Sequence, residues 1–234
     1  MFNNFKRGLQ DGMPIALGYL PVSFTFGMMA VSQGMPPWFA ILISMVNLTS
    51  AGQFAGLPLI LSAASPIEMA ITEFIINLRY SLMSLSLTQK VHPSVSRRKK
   101  LLMSFGVTDE VFAVASVRPD LIGAKYFYGL MLTPYLGWTL GTIGGALLGS
   151  VLPDLLSSSL SIAIYGMFIA IILPEMRAQL SVSIVVAMSA ILSCLFHWVP
   201  ALSGVSSGFV IIICAVLASA VGALLFPVEE EGAI

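Results

Sequence analysis

Arg79 stands near the middle of a long apolar run, 66–88, that also carries Glu73 and Asn77; a second apolar stretch carries Asp109 and Glu110 side by side. An ionisable group at membrane depth costs about 2.5–3.5 kcal/mol on insertion scales unless it is paired or hydrated. Several such groups in one chain point to a polar path or binding site inside a helical bundle. The Arg79 guanidinium offers five donors in a planar fork that matches a carboxylate. It either binds a substrate carboxylate or gates the way to it, or it forms a structural ion pair with Asp109 or Glu110 that stitches helix to hairpin; the two readings are compatible if the pair breaks during transport. Glu73, Asn77 and Tyr80 fall at i, i+4 and i+7 and share a helical face, with Arg79 on another. Glu73 and, further still, Glu68 lie toward the outer interface, so Glu68 reads as interfacial. Two adjacent carboxylates at low dielectric do not both ionise easily, which suits Asp109 or Glu110 to carrying a proton. Thr108 or Asp109 is also placed to cap a helix, with Glu110 in its first turn.

A third polar group interrupts another apolar stretch at Asn47-Leu-Thr-Ser50-Ala-Gly-Gln53. Its small residues let a substrate or a second helix approach the backbone. Gln53 has donors and acceptors for an amino acid head group, and a half-helix starting near Ala51 would aim its positive end at an anion. Gly137, Gly141, Gly144, Gly145 and Gly149 form a small-residue stripe that reads as a packing surface, with Trp138 and Thr142 beside it as candidates to line the path. His92 and His197 lack partners at metal-ligand spacing, and no HExxH, GxSxG or phosphate-binding glycine loop occurs. No metal or cofactor is expected, and neither an enzyme nor an ATP-driven pump.

The elements that must hold these groups are membrane spans. Hydrophobic residues make up 57% of the 234 and charged ones 9%, against about 25% charged in soluble domains, and the mean hydropathy is +0.95. Zero net charge gives nucleic acid no attraction. Apolar segments run over about 14–32, 38–61, 66–88, 101–116, 126–152, 160–173, 182–196 and 205–226, punctuated by prolines. The second and fourth are broken by their polar centres, and such paired interruptions point to a transporter site. The basic residues cluster at Lys6 and Arg7, Lys90 and 97–100, Arg118 and Lys125, and Arg177. If the second segment is a hairpin entering from outside and the fourth one entering from inside, every one of these falls in the cytoplasm, as the positive-inside rule asks. The expected fold is all-α: about six full spans plus two broken or re-entrant hairpins, whose opposed orientation fits an inverted repeat, in a single membrane domain over 1–234 with both termini cytoplasmic.

Pro21 and Gly27, Ala51-Gly-Gln53-Phe54, Asn77-Leu-Arg79, Thr108-Asp-Glu110, Trp138 and Gly141-Thr142 follow one another in an order that resembles the AzlC-type (azaleucine-resistance) branched-chain amino acid permease family. The resemblance implies the large subunit of a bacterial two-component inner-membrane exporter of valine and related amino acids. It also implies a small hydrophobic AzlD-type partner subunit. The glycine stripe and the short sixth and seventh segments are candidate docking surfaces for that subunit. The competing class is a channel for small polar solutes.

Overall fold

The computed structural model describes residues 3–149, 162, 166, 169, 172–202 and 204–227. Their regular secondary structure is helical apart from one isolated bridge between Val91 and Ile122. The helices are α1 (Phe5–Ser32), α2 (Pro37–Val46), α3 (Ser50–Leu61), α4 (Pro66–Lys90), α5 (Arg97–Phe105), α6 (Asp109–Ser116), α7 (Ala124–Leu148), α8 (Leu180–Trp198) and α9 (Ser207–Leu225). Most of the expected sixth segment lies outside the described residues. Among them α1, α8 and α9 are long and apolar enough to cross a membrane. Helices α4 and α7, at 25 residues each, are roughly 37 Å long, more than the ~30 Å hydrocarbon core. The chain divides into two compact units, Met1–Leu57 with Ile76–Ile164, and Pro58–Ile75 with Tyr165–Ile234.

The first unit is organised by α1 against α7. Gly8 faces Gly129, Gly12 faces Leu130 and Thr133, Ala16 faces Gly137, Leu20 and Ser23 face Gly141, Phe24 faces Gly145, and Met28 faces Gly149. The contacts advance in steps of four on both helices, so the two run parallel, backbone to backbone, for roughly 30 Å. Small residues at this spacing allow that approach in a membrane, where helix association rests on close packing rather than on the hydrophobic effect. The stripe is thus spent inside the chain, which corrects the expectation that it is a docking surface for a second subunit. Helix α1 also begins two turns before the apolar run, because the Asn4 side chain accepts from Arg7 N–H at 3.2 Å and Arg7 pairs with Asp11 at 3.0 Å.

One end of this unit collects the basic groups. Asn3 Oδ1 accepts from the Lys125 N–H at 2.7 Å, capping α7 in place of Gly123, which has no side chain to do so. Arg118 pairs with Asp11 at 3.3 Å and lies over the Tyr126 ring. Lys90, at the end of α4, donates to the carbonyls of Ser116 and Arg118, a cation at the negative end of α6. The start of α5 is here too, with the Tyr128 hydroxyl 3.4 Å from the Lys99 carbonyl. From this end α5 climbs alongside α7, bringing Phe105 against Tyr135. The chain turns at Gly106–Thr108 beside Tyr19, halfway along α1, and α6 returns to Arg118. Nine and eight residues cannot cross a bilayer; the fourth segment is a re-entrant hairpin.

The second segment is a hairpin as well. Ser44, near the end of α2, and Gln53, in α3, are hydrogen-bonded at 2.9 Å, whereas nine residues of continuous helix would separate them by about 13 Å along the axis. Phe54 then meets Phe26, near the far end of α1, so α3 runs back the way α2 came. Parity supports the arrangement. Parallel α1 and α7 need an odd number of crossings between them; with α5–α6 and α2–α3 turned back, α4 supplies the single one.

In the second unit, Glu68 overturns its reading as an interfacial group. It is buried and accepts a hydrogen bond from Ser206, the residue preceding α9. Helix α9 has no acid in its own first turn and no side-chain cap, so a carboxylate from α4 meets its positive end. Gly208 leaves room for this, since a Cβ there would lie 2.7 Å from both Glu68 Oε1 and Thr72 Oγ1.

Opposed hairpins make a labelling prediction. In a chain whose free cysteines, Cys194 and Cys214, are replaced, a cysteine at Ser62 should react with an impermeant thiol reagent from one side of the membrane. One at Ser96 should react only from the other. With the N-terminus cytoplasmic, the hairpins put Ser62 outside and Ser96 inside, whereas full crossings would reverse both; labelling of Ser96 from outside would rule out the hairpins.

Candidate functional site

The two hairpin tips meet at mid-depth in the first unit. The break after α2 is shaped by its own polar residues: Asn47 Oδ1 accepts from Thr49 N–H at 3.1 Å, and Thr49 Oγ1 accepts from Gly52 N–H at 3.0 Å, capping α3 one residue before its start at Ser50. At the other tip Thr108 Oγ1 accepts from Val111 N–H at 3.3 Å and caps α6, with Asp109 and Glu110 in the first turn. Two half-helices therefore begin at this depth, and each presents its positive end there.

A cavity of about 220 Å³ lies between the tips and α4. Val46, Asn47, Leu48 and Thr49 come from the first hairpin, Ser104, Phe105 and Val107 from the second, and Asn77 and Tyr80 from α4. The lining is half polar and half apolar, and the volume falls below the range of drug-sized pockets, so it suits a small amphipathic solute. Thr49 of the first tip and Tyr80 of α4 both line it, so the cavity joins that tip to α4.

Arg79 lies beside this cavity. It pairs with Asp109 at 3.0 Å, its Nη2 is 3.4 Å from the Tyr80 hydroxyl, and its guanidinium sits 5.1 Å from the Tyr80 ring centroid. The neighbouring carboxylates are handled separately. Asp109 takes Arg79, while Glu110 takes the hydroxyl of Tyr19. Tyr19 is also 2.9 Å from Thr108 Oγ1, so that Thr108 and Tyr19 form a relay ending on the Glu110 carboxylate.

Gln53 does not line the cavity. Its carbonyl accepts from the Trp138 indole N–H at 2.8 Å and its amide donates to Ser44 Oγ at 2.9 Å. Ser44 is in turn 2.7 Å from Thr142 Oγ1, which bonds the Trp138 carbonyl at 3.2 Å. The whole set is buried, Gln53 at 3% and Trp138 at 1% exposure, and it fastens the first hairpin to α7. Trp138 packs edge-on to Tyr19 with centroids 5.1 Å apart, so a continuous polar and aromatic chain joins Gln53 to Glu110. Ser50 opens α3 half-buried. Glu73, a turn before Asn77 on α4, falls in the second unit.

Tyr19 and Ser44 were not singled out by the sequence. Tyr19 stands in an apolar span where an aromatic residue is ordinary, and Ser44 is one serine among many. Only the unpaired needs of Glu110 and Gln53 could have called for such partners.

Paired re-entrant hairpins with half-helix ends at mid-depth, around a small cavity of mixed polar and apolar lining, in a chain of apolar helices define a polytopic membrane protein of the transporter kind. The AzlC protein family matches residues 14–152, and the chain belongs to that family. Among similar proteins, an uncharacterized membrane protein of Archaeoglobus fulgidus is 32% identical over 177 residues, covering 75% of this chain and 77% of that one. The inner membrane protein YgaZ of Escherichia coli is 26% identical, covering 79% and 78%. The branched-chain amino acid transport protein AzlC of Bacillus subtilis is 24% identical over 149 residues, covering 62% and 58%. No solved structure matches.

Proposed function

We propose that the chain is the large subunit of a secondary transporter that exports L-valine and similar apolar amino acids across the bacterial inner membrane, working with a small AzlD-type subunit. The observation that carries this is the cavity between the hairpin tips: polar and apolar side chains line one small volume, and a half-helix begins at each tip beside it. Such a volume accommodates a zwitterion with an aliphatic side chain. The similarity to the branched-chain amino acid transport protein of Bacillus subtilis supports the same substrate class.

In this reading Arg79 receives the substrate carboxylate, Asp109 is freed for the ammonium, and Asn77, Tyr80 and Ser50 complete the polar side. The Arg79–Asp109 pair keeps the empty site neutral, so an unloaded carrier does not return with unpaired charges. Gln53, Trp138 and Thr142 hold the first hairpin in place. Glu110, with Tyr19 and Thr108, is the candidate proton carrier of an antiport cycle. Both termini and the basic end of the first unit face the cytoplasm under the positive-inside rule.

The test is export of labelled valine from preloaded cells with and without the chain and its small partner. Saturable export against a gradient is expected. Flux that neither saturates nor accumulates would mark a channel. Across a range of external pH, Glu110→Gln should flatten the dependence of export while exchange of valine for valine persists; an unchanged pH profile would remove Glu110 from the coupling.

A further inference from the structure

Helix α5 opens on four consecutive cations, Arg97, Arg98, Lys99 and Lys100, with no acid in its first turn and no side-chain cap from Ser96. Positive charge at the positive end of a helix is unfavourable. Among the described residues none of the four has an acidic group within ion-pair distance; the pairs formed are those of Arg7, Arg79 and Arg118. No acidic side chain among the described residues therefore answers this charge, and it lies where a helix too short to cross the bilayer enters it, at headgroup level.

Below these cations, α4 and α5 leave a narrow cleft of about 60 Å³. Its lining is apolar, with Leu87, Val91, Met103 and Val107 as its floor and Thr88 at its edge. Lys100, half-buried, is the one charged residue on it. Arg97 precedes Lys100 by three residues and shares its face. Exposed Leu85 and Leu101 continue the apolar surface on both helices. A cleft of this size takes methylene groups rather than a whole solute.

We propose that this cleft is a binding site for one anionic phospholipid, its phosphate held by Lys100 and Arg97 and the upper part of one acyl chain laid along Leu87, Val91 and Met103. The lipid braces the second hairpin against α4. It places an anion at the positive end of α5, and basic pockets between membrane helices recognise lipid headgroups in this way. Arg98 and Lys99 point elsewhere on the helix and contribute only diffuse attraction.

The full chain is extracted from membranes containing equal phosphatidylglycerol and phosphatidylcholine, and the retained phospholipid is identified by mass spectrometry. Phosphatidylglycerol should be retained at least about tenfold over phosphatidylcholine, a difference of roughly 1.4 kcal/mol. Lys100→Gln should remove most of that preference and Lys100→Arg should keep it, whereas Arg98→Gln, with the same loss of charge, should leave it nearly intact. Thr88→Trp, which fills the cleft from an exposed position and changes no charge, should also release the lipid. Equal losses in Lys100→Gln and Arg98→Gln would overturn the site in favour of diffuse attraction. Retention by Thr88→Trp would overturn the acyl seat. If glycerol 3-phosphate displaced the lipid as effectively as soluble phosphatidylglycerol, the site would be one for free phosphate esters and the proposal would fail.

Discussion

Arg79→Gln is expected to abolish valine export and to lower the amount of folded protein recovered from the membrane. The substitution leaves Asp109 at mid-depth without the guanidinium 3.0 Å away. Breaking a buried pair by removing one partner costs about 3–5 kcal/mol. Both side chains here retain some exposure, 42% and 33%, so the loss should fall at or below the low end of that range. Asp109→Asn introduced with Arg79→Gln should restore the recovered protein, because no charge is then left alone, and should leave export absent. Arg79→Lys separates the two roles of the residue. It keeps the charge for Asp109 and forfeits the bidentate fork. If the fork receives the substrate, losing one charge-assisted hydrogen bond, about 1.5–3 kcal/mol, raises the half-saturating valine concentration about 10–100-fold while recovered protein is unchanged. Wild-type export kinetics in Arg79→Lys would assign Arg79 to neutralising Asp109 alone.

Gly145→Leu should prevent assembly of the first unit, and even Gly145→Ala should be costly. A Cβ at Gly145 would sit within the van der Waals envelope of the Phe24 carbonyl and 2.9 Å from the Met28 nitrogen. Both obstacles are backbone atoms, so neither can turn aside. Overpacking of this kind costs about 1–3 kcal/mol per substitution. The measurement is thermal unfolding of the detergent-solubilised chain, with two internal controls. At Gly144 a Cβ would approach only the Phe24 ring, at 3.2 Å, and a ring edge can move; at Gly18 it would meet nothing within 4 Å. Gly144→Ala should therefore cost little, and Gly18→Ala should be neutral or stabilising, because alanine is the better helix former by about 1 kcal/mol. Similar thermal stability for Gly145→Ala and Gly18→Ala would show that the α1–α7 contact is not what holds this unit together. Loss of a partner subunit without loss of the chain's own stability would return the stripe to the docking role that the packing denies it.

The membrane class, the helical fold and the broken second and fourth segments are properties of the sequence itself. They follow from local causes: apolar length matched to the bilayer, backbone that must bond within its own segment, and small polar residues that end a helix wherever they cluster. The end of the first unit that gathers Lys90, Arg97–Lys100, Arg118 and Lys125 was also legible, because charge avoids hydrocarbon wherever the fold puts it. The caps were nearly so: Thr108 was one of two candidates, and the start of α3 was expected near Ala51, one residue after the observed Ser50. Partnerships between distant residues were not. Nothing near Arg79 in the chain chooses Asp109 over Glu110, and nothing near Glu110 names Tyr19, 91 positions away. Gln53 carries the same donors and acceptors whether it meets a substrate or meets Trp138 and Ser44; only tertiary packing spends them. Glu68 looked interfacial by its position along α4 and proved buried, because the positive end of α9 came to it. A side chain's type states what it needs, and the fold alone decides which neighbour, protein or ligand, meets that need.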